Sequence, residues 1–188
     1  RDALKCSSNY MNETTGALGL PEFGTSLTRQ MLEEIRPKTF ADLVLISGLS
    51  HGTDVWAGNA QDLLRNKVCG VDGIIACRDD VMIYLIAHGV NNSVAFKTME
   101  SVRKGKKIPK DYMEEIVKCG VPEYYIESAN KCKYLFPKAH AIAYVTMAVR
   151  IAWFKVHKPL AYYACFFSTR AKQFDLKAMI GGTQEIIN

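Results

Sequence analysis

Apolar residues along the chain recur at three- and four-residue intervals and nowhere alternate convincingly with polar ones, so the pattern predicts helices and no sheet. Residues 1–24 are irregular, rich in Asn, Ser, Gly and Pro. Thr25 or Ser26 then caps a helix running to about Ile35, which Arg36-Pro37 ends. Thr39 with Asp42 forms a capping box for a helix to about Ser47. Gly48-Leu49-Ser50-His51-Gly52 reads as a tight turn, and Thr53 as the cap of a helix to about Leu64. After a connector over 65–76, helices are predicted from about Asp79 to His88 and from Ser93 to Val102. Further helices fit 109–118, 122–134, 139–157 and 160–168, and Asp175 opens a last one.

One corner recurs three times, at 45–53, 85–93 and 116–122: helix, glycine, one apolar residue, short polar turn, helix. Helix-hairpin-helix units share this plan, and the second helix can present backbone amides to a phosphate. Any pair of antiparallel helices also needs such a corner. Both readings stand at this level, and the basic flank at 103–107 favours the first. The expected architecture is all-α, a multi-helix domain with helix-hairpin-helix-like corners.

Composition narrows the function classes. The 188 residues, 48% hydrophobic with net charge +5, describe a folded, mildly basic chain compatible with a polyanionic partner. Six scattered cysteines form no C-x-x-C pair and no zinc spacing with the four histidines, so reduced, mostly buried thiols are expected. The longest apolar span, 139–154, is too short for a bilayer and contains Arg150. No apolar segment of signal-peptide type follows Arg1, and a cytoplasmic location with no membrane partner is expected.

Four places carry candidate chemistry. In 136–144, Pro137 precedes a helix whose first turns hold Lys138, His140 and Tyr144; His140 and Tyr144, four apart, share one face. A cation, an imidazole and a phenol at a helix N-terminus suit an anionic ligand with a flat group, although a plain N-terminus with an amphipathic tyrosine has the same text. Ser50-His51-Gly52-Thr53 puts a histidine among small polar residues where packing gives no reason for it. Cys77-Arg78-Asp79-Asp80 offers Arg78 as a fork-shaped donor for a triphosphate. The adjacent aspartates fit the helix dipole better than a metal, and Cys77 lacks a histidine partner for nucleophilic work. Arg103, Lys104, Lys106 and Lys107 around Gly105, with Lys97 behind them, read either as phosphate contacts or as solvated surface charge.

Taken together, these segments resemble the fingers of the C-family replicative bacterial DNA polymerases, in particular the PolC-type alpha subunits of DNA polymerase III from low-GC Gram-positive bacteria. The carrying motifs are 18–25 (LGLPEFGT), 40–56 (FADLVLISGLSHGTDVW), 77–80 (CRDD), 99–106 (MESVRKGK), 136–144 (FPKAHAIAY) and 154–159 (FKVHKP), in the family's order over about 15–180. The resemblance implies a lead-in from the palm over 1–24 and a fingers domain over 25–188, with a sub-boundary near 65–76. It implies DNA-templated DNA synthesis, with Ser50, His51, Thr53, Arg78, Lys138, His140 and Tyr144 around the incoming dNTP. Lys97, Arg103, Lys104, Lys106 and Lys107 would meet DNA. The family's palm motif, of the form PDIDLNF, is absent. The Mg2+ ions of the full enzyme would therefore bind outside this stretch, which alone would not polymerise. Primer-template, dNTP, the rest of the polymerase chain and the replisome clamp are the implied partners. A stand-alone helix-hairpin-helix nucleic-acid-binding module is the alternative.

Overall fold

The computed structural model describes residues 14–170 and 180–181, and among them the chain is helical with no sheet. In order come α1 (Ser26–Ile35), α2 (Phe40–His51), a π-type segment (Trp56–Ala60), α3 (Gln61–Arg65) and a 3₁₀ turn (Val71–Gly73). These are followed by α4 (Arg78–Ala87), α5 (Asn92–Val102), α6 (Lys110–Lys118), α7 (Glu123–Lys131), α8 (Lys138–His157) and α9 (Pro159–Thr169). The helix expected from Asp175 lies outside the described residues.

Local signals set most helix starts. Thr25 Oγ1 accepts from the Thr28 amide at 3.2 Å. The Thr39–Asp42 box forms as predicted: Asp42 N–H donates to Thr39 Oγ1 at 3.2 Å and Thr39 N–H to Asp42 Oδ2 at 2.8 Å. Two of the three predicted corners are present, with Gly89 (φ 86°) and Gly120 (φ 77°) in the left-handed region. The apolar residues after them, Val90 and Val121, are buried.

The first corner is not there. α2 runs through Gly48 to His51, so His51 ends a helix and begins none. A Cβ on Gly48 would lie 2.5 Å from Cys77 Sγ and 2.8 Å from the Ala76 carbonyl oxygen. This glycine is small so that α2 can press on the 76–77 backbone, a need that looks in sequence like a helix stop. Thr53 caps nothing: its N–H donates to the Tyr134 carbonyl at 3.0 Å, and its carbonyl accepts from the Lys133 N–H at 3.0 Å. The helix predicted after it is a short π-type segment, broken by Gly58 (φ 71°) and Asn59, followed by one turn-and-a-half of α3. Likewise α7 stops at Lys131, three residues early, because 132–137 is extended.

Two compact units result, Arg1–Arg29 with Thr146–Asn188, and Gln30–Val145. In the first, Tyr162 donates its hydroxyl to the Gly19 carbonyl at 2.8 Å, and the Lys155 ammonium reaches the Gly16 and Leu18 carbonyls. In the second, Ile46, Ile75, Val81, Leu85, Val102, Ile116, Tyr125, Leu135 and Val145 form the dry core. All the candidate site residues belong to this second unit.

Candidate functional site

The extended strap 133–137 is the frame of the site. Besides the Thr53 pairing, the Leu135 N–H donates to the Arg103 carbonyl at 3.4 Å, and the Arg78 N–H to the Phe136 carbonyl at 3.0 Å. The end of α2, the basic loop and the start of α4 therefore all attach to five consecutive residues. The reason is partly conformational: Pro137 disfavours helical geometry at Phe136, so the chain stays extended until α8 begins.

Phe136 sits at the middle of a row of four rings. His51 stacks on it with centroids 4.7 Å apart and planes at 25°. His140 also meets it, edge-on at 5.2 Å and 83°. Tyr144, one helical turn further, lies 4.4 Å from His140. Three of the four, His51, His140 and Tyr144, are exposed, and Phe136 is half-buried. Rings in contact with one another and open to solvent are a stacking platform for a further flat group.

Hydrogen bonds orient the α2 end of the row. His51 Nδ1 lies 2.8 Å from the Ser47 carbonyl oxygen. A carbonyl only accepts, so Nδ1 carries a proton in this contact and donates it to Ser47. Ser50 donates to the same carbonyl at 3.0 Å and lies 3.0 Å from His51 Nδ1.

At the other end, the chemistry is ionic. The Lys138 ammonium donates to Asp80 Oδ1 at 2.8 Å, and its backbone N–H to Asp79 Oδ2 at 2.8 Å. Partial burial works against the Lys138 charge, but the Asp80 hydrogen bond and charge outweigh it and raise its pKa above the ordinary lysine value. Arg78 is partly exposed, its Nε 3.9 Å from Asp79 Oδ2. Cys77 is buried, and its thiol is pushed up to about 12 by burial and then by Asp80, which keeps it protonated and inert.

Asp79 and Asp80 do not fit a divalent metal. Their oxygens already face backbone N–H groups and an ammonium, and among the described residues no three acidic, Cys or His side chains converge on one point.

One carboxylate offsets part of the charge of the basic loop. Glu100 pairs with both Arg103 and Lys104, whereas Lys106 and Lys107 are exposed beyond it. Hydrogen bonding from Arg103, then Lys104, lowers the Glu100 pKa to about 2. Gly105 (φ 74°) lets the loop touch the strap, where a Cβ would sit 2.5 Å from the Lys133 carbonyl oxygen. Lys133 itself pairs with Asp54 at 2.6 Å. Lys97 is exposed on α5.

The structure thus joins Ser50, His51, Thr53, Arg78, Lys138, His140 and Tyr144 through one strap. Sequence reasoning passed over Phe136 as the hub, Asp79 and Asp80 as the anchors of Lys138, and Lys133 beside the basic loop. Phe136 had one visible signal, an aromatic directly before a helix-opening proline. The aspartates had none pointing to residue 138, because they stand 59 and 58 residues before it.

Comparison with known proteins gives a consistent result. The family model of the bacterial DNA polymerase III alpha subunit finger domain matches residues 7–121. The chain is 59% identical over 187 residues to the PolC-type DNA polymerase III of Staphylococcus saprophyticus, covering 100% of this chain. It is 58% identical to that of Bacillus subtilis and 54% identical to that of Oceanobacillus iheyensis, each over 185 residues and 98% of this chain. It spans 13% of the length of each of these relatives.

Proposed function

The chain belongs to the finger-domain family of the bacterial DNA polymerase III alpha subunit, and from that premise we propose that it forms the fingers of a PolC-type replicative polymerase and binds the incoming dNTP. The observation that carries this reading is the exposed row His51–Phe136–His140–Tyr144, with Arg78 and Lys138 at its foot. The rings offer stacking area for a nucleobase, while Ser50, His51 and Thr53 form the wall at the end of α2. Arg78 and Lys138 supply positive charge for the triphosphate. Lys97, Arg103, Lys104, Lys106 and Lys107 meet the phosphates of the primer-template. Within the larger chain these groups serve DNA-templated DNA synthesis on chromosomal DNA in the cytoplasm, together with the replisome clamp. The Mg2+ ions and the carboxylates that hold them lie in the rest of that chain. Among the described residues no helix is long and apolar enough to cross a membrane.

Steady-state kinetics of the full-length polymerase test the reading. Stacking of one base on an aromatic ring contributes about 1–3 kcal/mol, so Phe136→Ala is expected to raise the dNTP KM roughly 5- to 150-fold. His140→Ala should raise it in the same direction, with an unaltered melting profile. Wild-type KM in both variants would overturn the assignment. Primer-template affinity with no dNTP effect, falling steeply with salt, would favour a simple nucleic-acid-binding module instead.

A further inference from the structure

The first turn of α8 has an unusual support. A helix leaves its first amides without intrahelical partners, and normally the residue before the helix offers a side-chain oxygen to one of them. Here that residue is Pro137, which has no such oxygen. The acceptor comes from 59 residues away: Asp79 Oδ2 takes the Lys138 N–H at 2.8 Å. Asp80 is shared in the same fashion. Its Oδ2 accepts the Cys77 N–H at 2.7 Å and the Ala76 N–H at 3.2 Å, capping α4, while its Oδ1 holds the Lys138 ammonium at 2.8 Å. The Arg78 N–H, donating to the Phe136 carbonyl, adds a third tie between the same two helix starts.

We propose that Asp79 and Asp80 are positioning residues of the nucleotide site, holding the first turn of α8 so that His140 and Tyr144 stay in register with Phe136 and His51. The inference rests on the reading of the ring row as the dNTP site. Neither carboxylate needs to touch the nucleotide. His140 and Tyr144 follow Lys138 by two and six residues on one rigid helix, so their direction is set by how that helix is rotated where it begins. Phe136 precedes Lys138 by two, outside the helix, and is fixed by the bridge to residue 77. The row therefore joins rings on two sides of a helix start, and the cap that fixes the start fixes their alignment. A side chain without an acceptor oxygen at 79 would leave the Lys138 amide without this partner. Misplacement of about 1 Å in a positioning element is enough to cost a large factor, and in a stacking platform that loss falls on nucleotide binding.

The test is the dNTP KM and kcat of full-length polymerase carrying Asp79→Ala, Asp79→Asn and Tyr144→Ala, alone and with Asp79→Ala and Tyr144→Ala combined. Asp79→Ala should raise KM at least 10-fold with kcat within twofold. Asp79→Asn, which keeps an acceptor oxygen for the Lys138 amide, should stay within threefold of wild type. Asp79→Ala should raise KM by a smaller factor once Tyr144 is already alanine than it does alone, because one of the two rings it positions is then gone. If Asp79→Ala melts below the assay temperature, Asp79→Glu takes its place, keeping the charge but displacing the acceptor, with the same rise expected. Wild-type KM in the displaced-acceptor variant, equal damage by Asn and Ala, or full additivity with Tyr144→Ala overturns the inference. If Tyr144→Ala and Phe136→Ala themselves leave KM unchanged, it is the dNTP reading that fails.

Discussion

Asn59 shows how much a single buried side chain can hold. It is 2% exposed, donates from Nδ2 to the Asp54 and Ser128 carbonyls at 3.0 and 3.1 Å, and accepts from the Ser128 hydroxyl at 2.6 Å. Through it the irregular stretch after Thr53 is fastened to α7. Asn59→Ala leaves those buried groups without their partner, which destabilises by about 1–3 kcal/mol, measurable as a lower urea midpoint at constant slope. Glu100 makes a contrasting case on the surface. Its folded-state pKa is lowered from 4.5 to about 2, so its pairing with Arg103 and Lys104 stabilises fully above pH 4.5. That contribution fades as the pH falls towards 2. The melting curves of wild type and Glu100→Gln should accordingly differ at neutral pH and converge through that acidic window. The acidic partner was visible in the sequence, four residues before Lys104; the Asn59 network was not, since a polar residue in a turn-rich stretch looks the same whether solvated or buried.

Between elements, close approach replaces turn chemistry as the explanation of Gly48. Gly48→Ala puts a methyl 2.5 Å from Cys77 Sγ and 2.8 Å from the Ala76 carbonyl oxygen, where the backbone cannot step aside without moving α2. Overpacking of this kind destabilises by about 1–3 kcal/mol, although alanine is the better helix former. A rise in stability on calorimetry of Gly48→Ala would mean the residue serves as a flexible joint after all. The capping box at Thr39 was readable from four consecutive residues because every partner in it is local. α2's end was misread for the opposite reason. Val44, Ile46, Ser47, Gly48 and Leu49 are all buried, so tertiary contact on nearly every side carried the helix past the point where local preference would end it.

At the scale of the whole molecule, the basic loop and the ring row make separable predictions. Lys106→Ala should weaken primer-template binding by the full polymerase at every sequence and reduce the slope of log K against log salt by about 1. The dNTP KM should change little, because Lys106 reaches no ring of the row. All-α architecture, most helix starts, two of three corners and the family were legible in the chain itself, since helical periodicity, caps and motif order are properties of neighbouring residues. His51 and His140 stood out separately for the same reason, as polar residues in odd local company. That they meet through Phe136, that Asp79 caps a helix 59 residues away, and that Gly48 is a contact instead of a stop were decided only by the fold. Each of these joins residues distant in sequence, and such pairings are selected by which surfaces pack together, a quantity no short stretch of the chain contains.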